Sequence, residues 1–170
     1  YGGQQATSNN NYRELYVRWL QFGMFCPVFR SHGADAPREI YQFGHRGEPV
    51  FDAIEASIRL RYRLLPYLYS TAWQVTSGGD SYMRALVYDF PNDRRTWDME
   101  SEFMFGQSIL ALPILHPQYT DEGTRSKADV DFTPPKTISR YLPKGATRYD
   151  FWTDQPSRAG ADTAPATRLD

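Results

Sequence analysis

The chain has 170 residues, 41% of them hydrophobic and 23% charged, and its formal net charge is −1. This balance is typical of a folded chain with a core, and it argues against disorder and against an electrostatic surface for nucleic acid. No apolar stretch approaches the roughly 20 residues of a membrane span, so we expect no membrane insertion.

Cysteine and histidine are too sparse for a metal site. Cys26 is the only cysteine, which excludes an internal disulfide, and the histidines are His32, His45 and His116. They show no zinc-type spacing, so we expect no metal and no other cofactor. The first residues lack the regions of a signal peptide, but a fragment would have lost its leader. The compartment of this soluble chain, whether cytoplasmic, periplasmic or extracellular, therefore stays open.

The first third of the chain predicts a loop, an amphipathic helix and a short strand. Residues 1–11 are small and polar, and Asn10 or Asn11 is the expected N-cap of a helix over 12–24. Apolar side chains recur on one face of this helix at spacings of three and four: Leu15, Trp19 and Phe22. This spacing predicts that the face is buried. Residues 28–31 then predict a short buried strand.

The next segment predicts a long loop and a long helix. Residues 33–49 contain three glycines and two prolines, and long ordered loops of this kind are usually functional. From residue 49 or 50 to about Ser77, apolar positions follow the helical period. Pro66 lies inside this helix and predicts a kink or break within residues 64–69.

The remaining segment has a β-type pattern. Its predicted elements are a strand at 83–88, a short helix at 98–105, a strand at 107–115 and an exposed loop at 118–136. Residues 138–142 and 148–152 predict a strand pair joined by Pro143-Lys144-Gly145. The residues after 154 are short of apolar side chains and predict a mobile tail.

This order of elements predicts an α/β fold, in which the last turns of a (β/α)8 TIM barrel are followed by part of an all-β sandwich. One strand and its helices cannot close a barrel, so we interpret the chain as a fragment. We assign residues 1–79 to the end of the barrel, residues 80–154 to a partial β-sandwich and residues 155–170 to the tail.

His32 is the foremost candidate for a functional residue. It is expected at the carboxyl end of a strand, directly before Gly33, where α/β barrels carry their chemistry. The alternative is a loop histidine that bonds to nearby backbone. Arg30 is either a charge of the site or a buried ion-pair partner of a carboxylate, and we prefer the second interpretation.

Acetal hydrolysis needs two carboxylates, one as acid and one as nucleophile or base. The acidic residues in and after the loop are Asp35, Glu39, Glu48, Asp52 and Glu55. Asp52 and Glu55 are explained by the helix dipole, which favours negative charge in the first turns. No pair has a context that separates an acid from a base, so we predict no catalytic residue in this chain.

Several motifs, in collinear order, resemble those of glycoside hydrolase family 31, which contains α-glucosidases and α-xylosidases. Residues 14–33 resemble the end of the catalytic barrel, and residues 51–69 resemble its final helix through the pattern Arg-Tyr-x-Leu-x-Pro-Tyr-x-Tyr. Residues 83–91 and 102–110 resemble the start of the proximal C-terminal β-domain. Two further motifs resemble the later strands of that domain: Tyr141-Leu-Pro-Lys-Gly145 and Tyr149-Asp-Phe-Trp152.

The resemblance implies roles for individual residues. Tyr1-Gly2-Gly3 resembles the end of an Asp-x-Gly-Gly-aromatic turn, and Gln4 stands where an aromatic residue of the sugar pocket is usual. His32 matches the histidine that hydrogen-bonds sugar hydroxyls in the −1 subsite. The substrate-binding candidates are therefore His32, Arg30 and Gln4. The family's nucleophile and acid/base aspartates lie upstream of every matched motif, and its mechanism is retaining, through a covalent glycosyl–enzyme intermediate.

Within the family, Arg30-Ser31-His32-Gly33 and the loop at 37–44 resemble bacterial α-xylosidases that act on xyloglucan fragments. Many α-glucosidases have Arg-Asn-His instead. The resemblance implies a parent enzyme that removes terminal α-linked xylose from an oligosaccharide. The alternatives are an α-glucosidase of the same family and a non-catalytic carbohydrate-binding remnant. Whether the parent forms a homo-oligomer stays open.

Overall fold

The computed structural model describes residues 6–33, 36–121, 129–145, 147–163, 166–167 and 169. Gln4 and Asp35 lie outside the described residues. The helices are α1 Asn10–Gly23, α2 Pro49–Arg63, α3 Leu65–Gly78 and α4 Leu86–Asp89, with 3-10 helices at Ala6–Ser8, Ile40–Phe43 and Arg94–Thr96. The strands are β1 Met83–Ala85, β2 Phe103–Phe105, β3 Ile109–Ala111, β4 Lys136–Thr137, β5 Arg140–Leu142, β6 Arg148–Tyr149, β7 Pro156–Ser157, β8 Ala161–Thr163 and β9 Ala166–Thr167.

Helix α1 is present where the sequence predicts a helix, but its cap and its packed face differ from the prediction. Asn9 is the N-cap, because its side chain accepts a hydrogen bond from the amide of Tyr12 at 3.3 Å. The expected apolar face is largely open, with Trp19 65% exposed. Val17 on another face is fully buried. Periodicity identifies an apolar face, but it does not tell which face meets the rest of the chain.

The predicted strand at residues 28–31 is wrong. The backbone there is irregular and Val28 is 72% exposed. A strand requires a hydrogen-bonded neighbour, and the paired strands of the described residues do not include this segment. The turn before it is held by Arg61 of α2, whose Nη1 donates to the carbonyl oxygens of Met24 at 2.6 Å and Cys26 at 2.8 Å.

The predicted break in the long helix is confirmed. Helix α2 ends at Arg63, Leu64 separates the two helices, and Pro66 lies in the first turn of α3. Proline has no amide hydrogen and is tolerated at a helix start, where that hydrogen would have no helical partner. Pro66 therefore divides one long apolar pattern into two helices. No helix in the described part of the chain is long and apolar enough to cross a membrane.

The main core lies between α1 and α2 and also takes side chains from distant parts of the chain. Its buried members are Tyr12, Val17, Phe43, Val50, Ala53, Ile54, Phe132 and Leu169. Residues 118–136 are thus not simply an exposed loop, because Phe132 is buried there. Glu14 of α1, itself 1% exposed, accepts hydrogen bonds from the amides of Gln118 at 2.7 Å and Thr120 at 2.9 Å.

The composition predicts a mobile tail after residue 154, but the described residues of this segment include three short strands. Strand β7 pairs with β6, β8 with β5 and β9 with β4, all antiparallel. Leu169 is 1% exposed, and its carbonyl oxygen accepts a hydrogen bond from Gln21 Nε2 at 2.6 Å. One apolar anchor and backbone pairing give this polar segment contacts that its composition does not predict.

The β-region begins with a three-stranded antiparallel sheet in the order β1-β2-β3. The strand predicted at 83–88 stops at Ala85, and its remaining residues form α4 around the fully buried Leu86. The helix predicted at 98–105 is wrong, because residues 103–105 are the central strand β2. Its Phe105 also contacts Phe25 after α1, with ring centroids 5.3 Å apart, which joins the sheet to the helices.

The predicted pairing of residues 138–142 with 148–152 is also wrong. Strand β5 pairs with β8, with Tyr141 opposite Asp162. The turn expected to form a hairpin is instead anchored on the buried Asp93. Its Oδ2 accepts hydrogen bonds from the Tyr141 hydroxyl at 2.6 Å and from the Lys144 amide at 2.9 Å. Burial and the bond to Asp93 raise the pKa of Tyr141 to about 12.

Candidate functional site

A cleft of about 180 Å³ lies where α1 and α2 meet the irregular segment at residues 29–31. Its apolar lining consists of Leu20, Phe29, Ile40, Ile54 and Ile58. Its polar lining consists of Tyr16, Arg30, Ser31 and Arg38. His32 follows directly after this lining and is exposed. Of the predicted site residues, Arg30 therefore lines the cleft, and His32 lies beside Arg30, with its Nδ1 3.0 Å from Arg30 Nη2.

The backbone at His32 is fastened to α1 through Arg38. Nη1 of Arg38 donates to the carbonyl oxygen of His32, and its Nε donates to the hydroxyl of Tyr12 at 2.6 Å. Gly33 is required directly after His32, because a Cβ at this position would overlap the carbonyl oxygen of Ala36. The main chain around His32 is thus fixed by a side chain from the following loop.

Tyr16 makes the second attachment. Its hydroxyl donates to the carbonyl oxygen of Arg38 at 3.1 Å and lies 2.9 Å from Oγ of Ser31, which can donate in return. The Tyr16 ring stacks on Phe43 with centroids 4.3 Å apart, and burial raises the pKa of the Tyr16 hydroxyl. The hydroxyl therefore stays protonated and available as a donor. The carbonyl oxygen of Phe43 accepts in turn from Arg13 Nη2 at 2.8 Å.

Arg30 does not occupy the predicted buried position. Its side chain is exposed, and no ion pair joins it to a carboxylate of the described residues. Its Nη2 lies instead 3.0 Å from Nδ1 of His32. The prediction of a buried ion pair rests on a barrel strand at 28–31. Because that strand is not formed here, the alternation that would turn Arg30 inward is absent.

Two acidic residues in the first turns of α2, Asp52 and Glu55, accept hydrogen bonds from neighbouring groups. Oδ1 of Asp52 accepts from the Gly47 amide at 2.9 Å. Glu55 accepts from Arg46 at 2.7 Å and from Arg59 at 2.8 Å, and these hydrogen bonds lower the pKa of Glu55 to about 2. Glu55 is thus ionised and paired with two arginines, which suits neither a general acid nor an exposed base. The described residues hold no cluster of metal-binding side chains.

Sequence reasoning missed Arg38 and Tyr16, the residues that position His32. Arg38 lies in the loop whose resemblance to the family is noted above, which was the only available signal. Tyr16 lies on the predicted helix, but the helical period alone gives no reason to connect its hydroxyl with Ser31. Gln4, the third predicted substrate-binding residue, lies outside the described residues.

Two family models match the chain in tandem. The model of the glycosyl hydrolases family 31 TIM-barrel domain matches residues 2–71. The model of the glycosyl hydrolase family 31 C-terminal domain matches residues 79–169. The two matches together cover nearly the whole chain.

The similar proteins include some named xylosidases and some named glucosidases. The chain is 38% identical over 149 residues to an α-xylosidase of Saccharolobus solfataricus, covering 88% of this chain and 18% of the relative. It is 34% identical to α-glucosidase 2 of Bacillus thermoamyloliquefaciens, covering 90% and 17%. It is 37% identical to the lysosomal α-glucosidase of Rattus norvegicus, covering 80% and 12%. The chain thus spans less than a fifth of the length of these relatives.

Solved structures of family 31 enzymes also resemble this chain. A family 31 α-xylosidase from Xanthomonas citri matches with a TM-score of 0.78 and 32% identity, covering 97% of this chain and 16% of the solved one. A family 31 α-xylosidase from a soil metagenome, solved with xylose, matches with a TM-score of 0.79 and 27% identity, covering 99% and 25%. The arrangement of helices and strands described above is therefore found within larger enzymes.

Proposed function

The chain belongs to glycoside hydrolase family 31, and we propose that it completes the sugar-binding end of a retaining α-glycosidase. Residues 1–79 form the end of the catalytic (β/α)8 barrel of the full-length protein, and residues 80–154 belong to its proximal C-terminal β-sandwich. Because β7, β8 and β9 pair with strands of that region, we extend the sandwich to residue 169. The tandem match to both family models carries this proposal.

His32 donates a hydrogen bond to a hydroxyl of the sugar in the −1 subsite. Its exposure next to the cleft residues Arg30 and Ser31 supports this role, because the imidazole is accessible while its backbone is held by Arg38. A loop histidine with a purely structural role would direct its ring at backbone groups. From the resemblance alone, we propose that Gln4 takes the place in the sugar pocket where the family usually has an aromatic residue.

The reacting carboxylates come from the part of the full-length protein that precedes this chain. One aspartate attacks the anomeric carbon while the other protonates the leaving oxygen, and water later hydrolyses the glycosyl–enzyme intermediate. Two carboxyl groups about 5–5.5 Å apart are needed for this retaining mechanism. This chain contributes residues that bind and orient the sugar. Their contacts accelerate the reaction if they are stronger in the transition state than in the ground state.

The substrate is a terminal α-linked xylose on an oligosaccharide such as a xyloglucan fragment. The support for xylose is the Arg30-Ser31-His32-Gly33 motif, together with the α-xylosidases among the relatives and solved structures. An α-glucosidase is the second candidate, because relatives with that name are 34% and 37% identical.

The test is to measure kcat/KM of the full-length protein on an aryl α-xyloside and on the matching aryl α-glucoside. We expect the xyloside to be preferred, and xylose to be released from xyloglucan oligosaccharides. A preference for the glucoside would establish the second candidate. Binding of oligosaccharides without turnover of either glycoside would show a non-catalytic carbohydrate-binding remnant and overturn the proposal.

A further inference from the structure

We propose that Arg30 is a positioning residue that selects the tautomer of His32, and thereby the ring nitrogen that donates to the sugar. This inference rests on the role proposed above for His32. The two side chains are two residues apart, and Nη2 of Arg30 lies 3.0 Å from Nδ1 of His32. That distance is typical of a hydrogen bond between nitrogen atoms.

The direction of this hydrogen bond follows from the chemistry of the two groups. A guanidinium carries five N–H donors and no acceptor, and it stays protonated in proteins. Nδ1 of His32 must therefore accept, which requires an unprotonated nitrogen with a free lone pair. In the neutral imidazole the proton then resides on Nε2. Arg30 thus makes Nε2 the donor of the ring.

Arg38 holds the main chain of His32, whereas Arg30 contacts its imidazole ring. The His32 carbonyl is held by Arg38, and Ser31 lies against the Tyr16 hydroxyl. A Cβ at Gly33 would overlap the carbonyl oxygen of Ala36. These contacts hold the main chain and do not involve the ring of His32. The bond to Arg30 occupies Nδ1 and directs Nε2–H away from the guanidinium, where a sugar hydroxyl can accept it.

The spectroscopic test uses the full-length protein labelled with [15N]histidine. His32 signals are assigned by their loss in His32→Asn. We expect the wild-type spectrum to show an unprotonated Nδ1 and a protonated Nε2. In Arg30→Met, which keeps an unbranched apolar stem but has no donor, the signals should shift towards an average of two exchanging tautomers. The exposed Arg158, in the turn before β8, provides the control Arg158→Met, which should leave the spectrum unchanged.

The kinetic test uses the same variants on the aryl glycosides. Arg30→Met should lower kcat/KM about fivefold to tenfold, the order of effect that one hydrogen bond controls, with an unchanged thermal midpoint. Arg158→Met should match the wild type. An unchanged tautomer in Arg30→Met, or a proton on Nδ1 in the wild type, would overturn the inference, as would a tautomer change without a kinetic effect. If the wild type hydrolyses neither glycoside, the proposed function fails, while the spectra still decide whether Arg30 sets the tautomer.

Discussion

His32 is the residue on which the binding proposal depends. We expect the hydrogen bond from its imidazole to a sugar hydroxyl to strengthen in the transition state. His32→Ala should therefore lower kcat/KM of the full-length protein, by an amount equivalent to roughly 2–4 kcal/mol of transition-state stabilisation. The thermal midpoint should change little, because the side chain is exposed and not part of the core. Steady-state kinetics and thermal unfolding of the purified variant measure both effects. Kinetics close to wild type with a lowered midpoint would instead indicate a structural role.

The buried carboxylate of Glu102 should make the free energy of unfolding depend on pH. Burial raises its pKa above the ordinary value of 4.5, against the lowering effects of the Tyr141 amide and Arg140. A carboxyl group whose pKa is raised in the folded state stabilises the fold fully at pH values below its pKa in the unfolded state. This stabilisation is lost as the pH rises through its pKa in the folded state. Gln in place of Glu102 still accepts a hydrogen bond from the Tyr141 amide but cannot ionise. Relative to wild type, Glu102→Gln should therefore raise the free energy of unfolding more at neutral pH than at about pH 4.

Thermal unfolding of Glu102→Gln and wild type at both pH values measures this difference. Asp98→Asn is the matched control, because Asp98 lies four residues earlier and is exposed. Its midpoint relative to wild type should not depend on pH. A Glu102→Gln variant that is equally or less stabilising at neutral pH than in acid would contradict the account.

The residue scale also shows what a sequence alone can yield about the site. His32 is recognisable because it stands directly before a glycine within a family motif. Arg38 and Tyr16 are not, since their roles arise from contacts with groups 6 to 26 residues away. The exposure of Arg30 was missed because its burial was inferred from a strand that is not formed.

At the scale of elements, α1 serves as a support for a distant loop. The buried carboxylate of Glu14 accepts the amides of Gln118 and Thr120 and also the Thr120 hydroxyl at 2.8 Å. Glu14→Ala would leave these partly buried donors without this acceptor, at a cost of up to about 1–3 kcal/mol for each unsatisfied group. Local opening of residues 118–120 should therefore become easier while the helix itself persists.

Hydrogen–deuterium exchange of the full-length protein measures this opening. In Glu14→Ala, we expect the amides of residues 118–120 to exchange about 10- to 100-fold faster, as a loss of that size implies. Glu100→Ala, at an exposed position in the β-region, should leave their exchange unchanged. Unchanged protection at residues 118–120 in Glu14→Ala would show that other contacts hold the loop.

Helices were predicted more accurately than strands, for a physical reason. The presence of α1 and the break near Pro66 follow from the helical period and from proline, which act within a few residues. Strand pairing is set by contacts between distant residues, so the sequence suggested a hairpin between neighbours where β5 pairs with β8. The anchor that redirects the turn after β5 is Asp93, which is nearly fifty residues upstream of it in the chain.

At the scale of the whole molecule, the helices and the β-region are packed against each other. Phe105 of β2 lies against Phe25, and its carbonyl oxygen accepts from the Tyr67 hydroxyl of α3 at 2.8 Å. Leu169, near the end of the β-region, is buried in the core between α1 and α2. The two segments that match separate family models therefore share contacts along the described chain.

Large aromatic side chains remain exposed on the helical part of the molecule. Trp19 on α1 is 65% exposed, and on α3 Tyr69 is 80% and Trp73 is 66% exposed. The family's barrel contains more strands and helices than this chain, which spans less than a fifth of its relatives. Exposed apolar surface of this kind is typical of an interface. On α1, the helical spacing identifies the apolar face, but the predicted burial of that face is not found, since Trp19 and Leu15 are exposed.

The central claim is that this chain supplies sugar-binding residues, but not the reacting carboxylates, to a retaining α-glycosidase. The most direct measurement is the anomeric form of the sugar first released from an aryl α-xyloside, followed by proton NMR, with the full-length protein and with the 170-residue chain. We predict that the full-length protein first releases α-xylose, which later mutarotates, and that the 170-residue chain releases none. Initial release of β-xylose, or turnover by the 170-residue chain alone, would contradict the account.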